Sequence, residues 1–180
     1  GDLAPLSHLA LVLIGQGEAE FQGEIMSGAQ AFKLAELNPV TLSAKEGLAL
    51  NNGTQVMTAI LALALVKAKT LCQTADICAA MSLDGLLGTP AAYDDLLHRV
   101  RPHRGQSAIA ENLRNLLEKS PIRESHRNCP NIQDPYSLRC VPQVHGAVRD
   151  ALDYVSQVVS IEINSATDNP LIFADEEKVI

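Results

Sequence analysis

The stretch Gln133-Asp134-Pro135-Tyr136-Ser137-Leu138-Arg139 is where residue types and spacing most plainly allow chemistry. Asp134 suits a helix N-cap, and Pro135 suits the first helical position, where its missing N–H removes nothing. A helix opening there would hold Tyr136 and Arg139 three residues apart on one face. Such a face can grip a carboxylate: the guanidinium offers a planar pair of donors, and the neighbouring phenol can give or take a proton. The same residues also read as an ordinary helix start with a surface Arg and a half-buried Tyr. A short motif alone does not decide between the two.

The remaining reactive side chains form no recognisable set. Cys72, Cys78, Cys129 and Cys140 contain no C-x-x-C pair and no zinc spacing, so they read as free cytosolic thiols. His8, His98, His103, His126 and His145 include no H-E-x-x-H and no pair four apart, so no metal is expected. The 14 basic residues are scattered among 21 acidic ones, for a net charge of -7, which argues against nucleic acid and anionic membrane as partners. The uninterrupted apolar run Ala59 to Val66 falls well short of the roughly 20 residues a membrane span needs. With no basic-then-apolar leader at the start, the expectation is a soluble, cytoplasmic protein.

The elements that must position these groups read mostly as helices. Asp2 can cap a helix from Leu3 to about Gly15, with Leu6, Leu9, Ala10, Leu13 and Ile14 at helical spacing. A strand or turn over Glu18 to Gln22 follows, then a helix from Ser27 to Leu37 stopped by Asn38-Pro39, and a short helix from Ala44 to Leu50. After Asn51-Asn52-Gly53 a long helix runs from Thr54 to about Leu83, nearly apolar all round from Val56 to Val66, so its place is inside a bundle or an oligomer. Short helices are expected over Ala91 to Val100 and Gln106 to Lys119, a loop over Ser120 to Ile132, and a second long helix from Val141 to about Ile163. The tail from Pro170 to Asp175 resembles a strand entering a turn. Hydrophobic residues make up 47% of the chain and aromatic ones 3%, with no Trp, so the core must be aliphatic and close-packed. The expected fold is mainly α: long antiparallel helices forming part of a helical bundle, with few short strands and a single domain over 1–180. Helices this long and apolar want more partners than 180 residues supply.

Four separated segments carry a family resemblance. They are Gly1-Asp2-Leu3-Ala4-Pro5-Leu6-Ser7-His8, Lys45-Glu46-Gly47-Leu48-Ala49-Leu50-Asn51-Asn52-Gly53-Thr54-Gln55, the Gln133 to Arg139 stretch, and Glu162-Ile163-Asn164-Ser165-Ala166-Thr167-Asp168-Asn169-Pro170. In this order the chain resembles the aromatic amino acid ammonia-lyase family over its whole length, nearest to the histidine-specific members, and it would be their central segment. The resemblance implies a methylidene-imidazolone electrophile, formed autocatalytically by cyclisation of an Ala-Ser-Gly triplet whose third member would be Gly1. It implies that Asp2 helps to form or hold that group and that Asn52 contacts it. Asn52 as a cap of the following helix is the plainer alternative, and both can hold at once. Arg139 would bind the substrate carboxylate, Tyr136 would sit beside the reacting amine or Cβ, and Gln133 would be a hydrogen-bonding neighbour. His8 reads as structural, and Asn164, Asp168 and Asn169 as residues that fix the bend into the tail.

The activity so implied is elimination of ammonia from L-histidine to give urocanate. Phenylalanine or tyrosine ammonia-lyase, an aminomutase of the same family, or a helical assembly fragment that cannot react are the alternatives. Gln55 and the stretch Arg101-Pro102-His103-Arg104-Gly105-Gln106 favour histidine. The family supplies its lid tyrosine and its imidazole-reading acid from elsewhere in the sequence, so these 180 residues alone are expected to be inactive. A homotetramer acting on a small amino acid is expected, in which Asn52 and the Tyr136–Arg139 turn converge where the chain begins.

Overall fold

The structure, a computed structural model, describes residues 2–179. Gly1, expected to belong to the prosthetic group, lies outside the described residues. The order is α1 (Leu3–Leu13), β1 (Glu18–Phe21), β2 (Glu24–Ser27), α2 (Gly28–Leu34), α3 (Glu46–Ala49), α4 (Gln55–Gly85), a 3-10 turn (Pro90–Tyr93), α5 (Asp95–Arg99), α6 (Arg104–Leu117), α7 (Pro121–Ser125), α8 (Tyr136–Arg139), α9 (Val141–Glu162), β3 (Ile172–Phe173) and β4 (Lys178–Val179). The mainly helical fold with few short strands is as expected. The chain divides into two compact units, one of Gly1–Leu61 with Ser160–Ile180 and the other of Ala62–Val159.

In the first unit, β1 and β2 form an antiparallel hairpin in which Ala19 pairs with Met26 and Glu20 with Ile25. Gln22 and Gly23 turn it, both with positive φ (53° and 87°), as a tight two-residue hairpin requires. Ser27 then opens α2 with a capping box: its hydroxyl accepts Gln30 N–H while the Gln30 side chain accepts the Ser27 N–H. α2 stops at Leu34, short of the expected Leu37. Asp2 stands directly before α1 but makes no side-chain capping bond, contrary to expectation; its carbonyl accepts Leu6 N–H at 3.1 Å.

The second unit contains the packed core. Ala80, Leu83, Tyr93, Ile109, Ala110, Leu113, Leu117, Leu138 and Val141 are buried together. On α6 the buried positions 106, 109, 110, 113 and 117 follow the helical repeat that makes one face apolar. α6 and α9 approach backbone to backbone at two glycines, since a Cβ on Gly105 would collide with the Gly146 carbonyl and one on Gly146 with the Gln106 backbone. α4 and α9 run antiparallel here: Lys69 Nζ donates to Ser156 Oγ at 3.1 Å, and further along Asp76 meets His145 and Arg149. Asp76 is wholly buried. Its carboxylate accepts from His145 Nδ1 at 2.8 Å, Asn112 Nδ2 at 3.1 Å and the Arg149 guanidinium, so a buried charge is compensated from two other helices.

α4 has 31 residues, roughly 46 Å of helix. Its Thr70, Thr74 and Ser82 hydroxyls bond back to carbonyls four residues earlier, which hides their polarity within the helix. By length and composition α4 is apolar enough to cross a membrane, with a mean hydropathy of 1.5 over an 18-residue window of which 11% is buried. Counting only uninterrupted apolar residues understates this, because its Thr and Lys residues are dispersed. Two further expectations are corrected. Ser120 to Ile132 is not all loop, since Ser120 caps Arg123 N–H and Pro121 opens α7. Ala91 to Val100 is not one helix, because extended backbone at Asp94 separates the 3-10 turn from α5, which the Asp94 carboxylate caps at Leu96 N–H.

Candidate active site

The turn carrying Tyr136 and Arg139 is pinned to the core of the second unit. α8 is a single turn that starts at Tyr136, so Pro135 precedes the helix and Asp134 does not cap it. Asp134 is buried and its Oδ2 accepts Thr89 N–H at 2.6 Å, which anchors the approach to the turn. The Asp134 carbonyl accepts from Arg139 Nε at 2.8 Å, folding the guanidinium back over its own turn, 5.9 Å from the centre of the Tyr136 ring. Tyr93, wholly buried, donates its hydroxyl to the Leu138 carbonyl at 2.7 Å. Burial, with Asp134 adding a negative field, pushes the Tyr93 phenol up to about 12, so it stays a donor across the physiological range. Tyr136 is 70% exposed. Its phenol is raised above the ordinary value, chiefly by a hydrogen bond with the Cys140 side chain, while Arg139 pulls the other way. Gln133 is exposed just ahead of the turn.

The first unit gathers the other predicted residues. Asn52 follows α3, its N–H donating to Leu48 O at 3.0 Å. The first bond of α4 runs from Thr58 N–H to Thr54 O, so Asn52 stands two residues too early to cap that helix and the capping alternative falls. The Asn52 Nδ2 donates to Asn169 Oδ1 at 3.0 Å. Asn51 beside it donates from Nδ2 to Ser7 Oγ at 2.8 Å, and Ser7 donates to Leu3 O. This ties the Asn51-Asn52 turn to the first turns of α1, directly after Asp2. The Asn51 Oδ1 is buried with no hydrogen-bond partner among the described residues. Beside the turn lies a cavity of about 360 Å³ lined by Thr54, Gln55, Glu162, Ser165, Thr167 and Asp168 among others, in which Thr54 Oγ1 donates to Glu162 Oε1 at 2.6 Å.

Both halves of the sequence reading are thus found on ordered turns. Asp2 and Asn52 share one unit; Gln133, Tyr136 and Arg139 share the other. Of the residues that hold these turns, Tyr93 and Thr89 lie outside the four family segments, whereas Lys45 and Asn169 lie within them without their partners being legible there.

The sequence profile described as aromatic amino acid lyase matches residues 1–180. The chain belongs to the aromatic amino acid lyase family. A curated relative named histidine ammonia-lyase, from Koribacter versatilis, is 55% identical over 179 residues, 99% of this chain and 35% of the relative. The histidine ammonia-lyase structure from Trypanosoma cruzi matches with a TM-score of 0.80 and 40% identity over all of this chain and 33% of that one. The phenylalanine aminomutase from Pantoea agglomerans matches with a TM-score of 0.83 and 37% identity over 98% of this chain and 37% of that one. The chain therefore spans about a third of the length of the aromatic amino acid lyases it matches.

That family membership raises the question of the electrophilic group. The residues present fit one on which negative charge collects. The start of α1 presents the positive end of a helix dipole, and the Asn51-Asn52 turn beside it offers neutral amides. Among the described residues no cluster of His, Cys, Asp or Glu could hold a metal ion.

Proposed function

We propose that these 180 residues are the central part of a histidine ammonia-lyase, which eliminates ammonia from L-histidine to give urocanate. The observation that carries the reading is 55% identity to a histidine ammonia-lyase across nearly the whole chain, against 37% to a phenylalanine aminomutase. Gly1, Asp2 and Asn52 would hold a methylidene-imidazolone made from an Ala-Ser-Gly triplet ending at Gly1. When formed, that group supplies an electrophile for the substrate amine, which is otherwise a poor leaving group. Asn52 contributes a donor that adds no titrating charge. Arg139 binds the substrate carboxylate through its planar fork, Tyr136 orients the reacting end or moves its proton, and Gln133 adds a neutral hydrogen bond.

A homotetramer in the cytoplasm belongs to the same reading. Its support is the run of exposed apolar residues on α4, including Met57, Ile60, Leu63, Val66 and Leu71, which needs a covering of further helices. A monomer by light scattering of the full-length protein would count against it.

The deciding experiment uses the full-length protein. Its intact mass should fall by two waters, and L-histidine should yield urocanate, read by its ultraviolet absorbance. Arg139→Lys keeps the charge but discards the fork, so kcat/KM for histidine should fall about tenfold or more. Turnover of phenylalanine or tyrosine with none of histidine would overturn the substrate, and an unmodified mass with no turnover of any of the three would leave a helical assembly module.

A further inference from the structure

Two hydrogen bonds in series run from the segment that carries Asn52 to the first turn of α1. Asn51 Nδ2 donates to Ser7 Oγ at 2.8 Å, and Ser7 Oγ donates to the Leu3 carbonyl at 2.8 Å. The series leaves from the residue before Asn52 and ends at the residue after Asp2. Its direction is fixed. Ser7 gives its one proton to Leu3, so it meets Asn51 as an acceptor, and Asn51 must turn its nitrogen towards it. That orientation has a cost, because the Asn51 Oδ1 is then buried with no partner among the described residues. An unpaired buried acceptor costs at least as much as one bond to a hydroxyl returns. For stability alone, a leucine, which has the same branched shape, would serve at position 51 as well as asparagine does.

We infer that Asn51 and Ser7 are a positioning pair that sets the separation between the Asn52 carboxamide and the start of α1. This rests on the reading of Asn52 and of the residues before Leu3 as the holders of the prosthetic group. An apolar contact between a turn and a helix leaves room to slide, whereas a hydrogen bond fixes distance and direction together. On one side, the N–H groups of Asn51 and Asn52 both donate to Leu48 O, at 3.2 and 3.0 Å, so the two residues move as one piece. On the other, Leu3 is the first residue of α1 and follows Asp2 directly. A shift of the turn away from α1 would therefore carry the Asn52 donor away from the group it serves, and a misplacement of about 1 Å is enough to lower turnover up to about a hundredfold. Neither Asn51 nor Ser7 touches substrate; both act through Asn52.

The test is a double-mutant cycle in the full-length protein with Ser7→Ala, Asn51→Leu and the pair. It is read by KM, melting temperature, the near-ultraviolet absorbance band of the group, and kcat per formed group, the formed share being given by the intact mass. Asn51→Leu should lower kcat about tenfold with little change in KM, shift the band, and leave the melting temperature unchanged or higher. Ser7→Ala, which strands the whole Asn51 amide, should lower kcat and melting temperature together. Adding Asn51→Leu to it should restore the melting temperature with no further loss of kcat. Asn51→Leu alone decides if the Ser7 variant fails to assemble. Unchanged kcat and band in Asn51→Leu, or losses of kcat that add in the pair, would overturn the inference while leaving Asn52 in place. An Asn52→Ala enzyme with unchanged kcat and band would instead sink the reading of Asn52 itself.

Discussion

The turn that carries Tyr136 and Arg139 sits on a close-packed, mostly aliphatic core, whereas the turn that carries Asn52 is held by side-chain hydrogen bonds and one ion pair. Behind the first turn, Ile109, Ala110, Leu113 and Tyr93 have no exposed surface at all. Around the second, Lys45, Asn51, Asn52 and Thr54 are each held by a polar partner, and the buried residues of α1 and α2 are only Leu6, Gly28 and Ala31. Close packing resists displacement in every direction and is indifferent to pH. Polar pairs set direction as well as distance, but their strength follows protonation and the water around them. On the proposed reading, a residue that delivers a donor in one orientation gains from the second arrangement, and a turn that grips a carboxylate gains from the first.

The largest test of this contrast is Leu113→Ala. Removing a fully buried side chain from the α6 face leaves a cavity beneath the Tyr136–Arg139 turn, with an expected loss of about 2–5 kcal/mol of stability. Denaturant unfolding of the full-length protein measures it, and a loss below about 1 kcal/mol would show that this core is not the support described. Tyr93→Phe is a smaller probe of the same region. It keeps the ring but removes the hydroxyl that donates to Leu138 O, with an expected loss of about 1 kcal/mol. Because that carbonyl belongs to α8, which on the proposed reading carries the carboxylate-binding Arg139, KM for the amino acid should rise more than kcat falls. A stability loss with unchanged KM would mean that the phenol supports the core without steadying the turn.

What was legible in the sequence follows the same division. α4, α6 and α9 were readable from apolar spacing and from Pro142 in a first turn, because a helix is decided by residues three and four apart. The β1–β2 hairpin was half missed, since its turn uses Gln22 at positive φ in place of the usual Asn or Asp. Asp134 shows how a local signal misleads. It has the type and position of an N-cap, yet its carboxylate is claimed by Thr89 N–H, 45 residues away, and the helix begins later. The motifs contain Lys45 and Asn169 without showing what they hold, and Tyr93 lies outside all of them, because those contacts join residues far apart in sequence and leave no periodic trace.

The polar side of the contrast predicts a pH dependence that the packed side lacks. The Lys45 ammonium beside Asp168 holds its carboxyl below the ordinary carboxylate value. A group depressed in the folded state stabilises the fold above its unfolded pKa, and that contribution disappears as pH falls through the depressed value. Melting of the full-length protein from neutral pH into the acid range should therefore lose stability in a step that Asp168→Asn removes, while Leu113→Ala shifts the whole curve without changing its shape. Identical acid limbs for wild type and Asp168→Asn would show that the pair does not hold the segment.

The smallest effect separates two of the three tyrosines of the packed unit, Tyr93 and Tyr136. Burial, with the Asp134 charge adding to it, pushes the Tyr93 phenol up to about 12, so unfolding should release it. Tyr136 is exposed, and its phenol is raised mainly through Cys140, which sits one turn further along between α8 and α9. A cause that resides in one neighbour is removable. Cys140→Ala should bring the Tyr136 phenol down towards its ordinary value, leaving Arg139, which favours the phenolate, opposed only by desolvation. Spectrophotometric titration of Cys140→Ala against Cys140→Ala with Tyr136→Phe isolates that one phenol by difference. If Tyr136 still titrates as high without the thiol, then the turn is drier than its exposure indicates, and its chemistry is set by what covers it in the assembled protein.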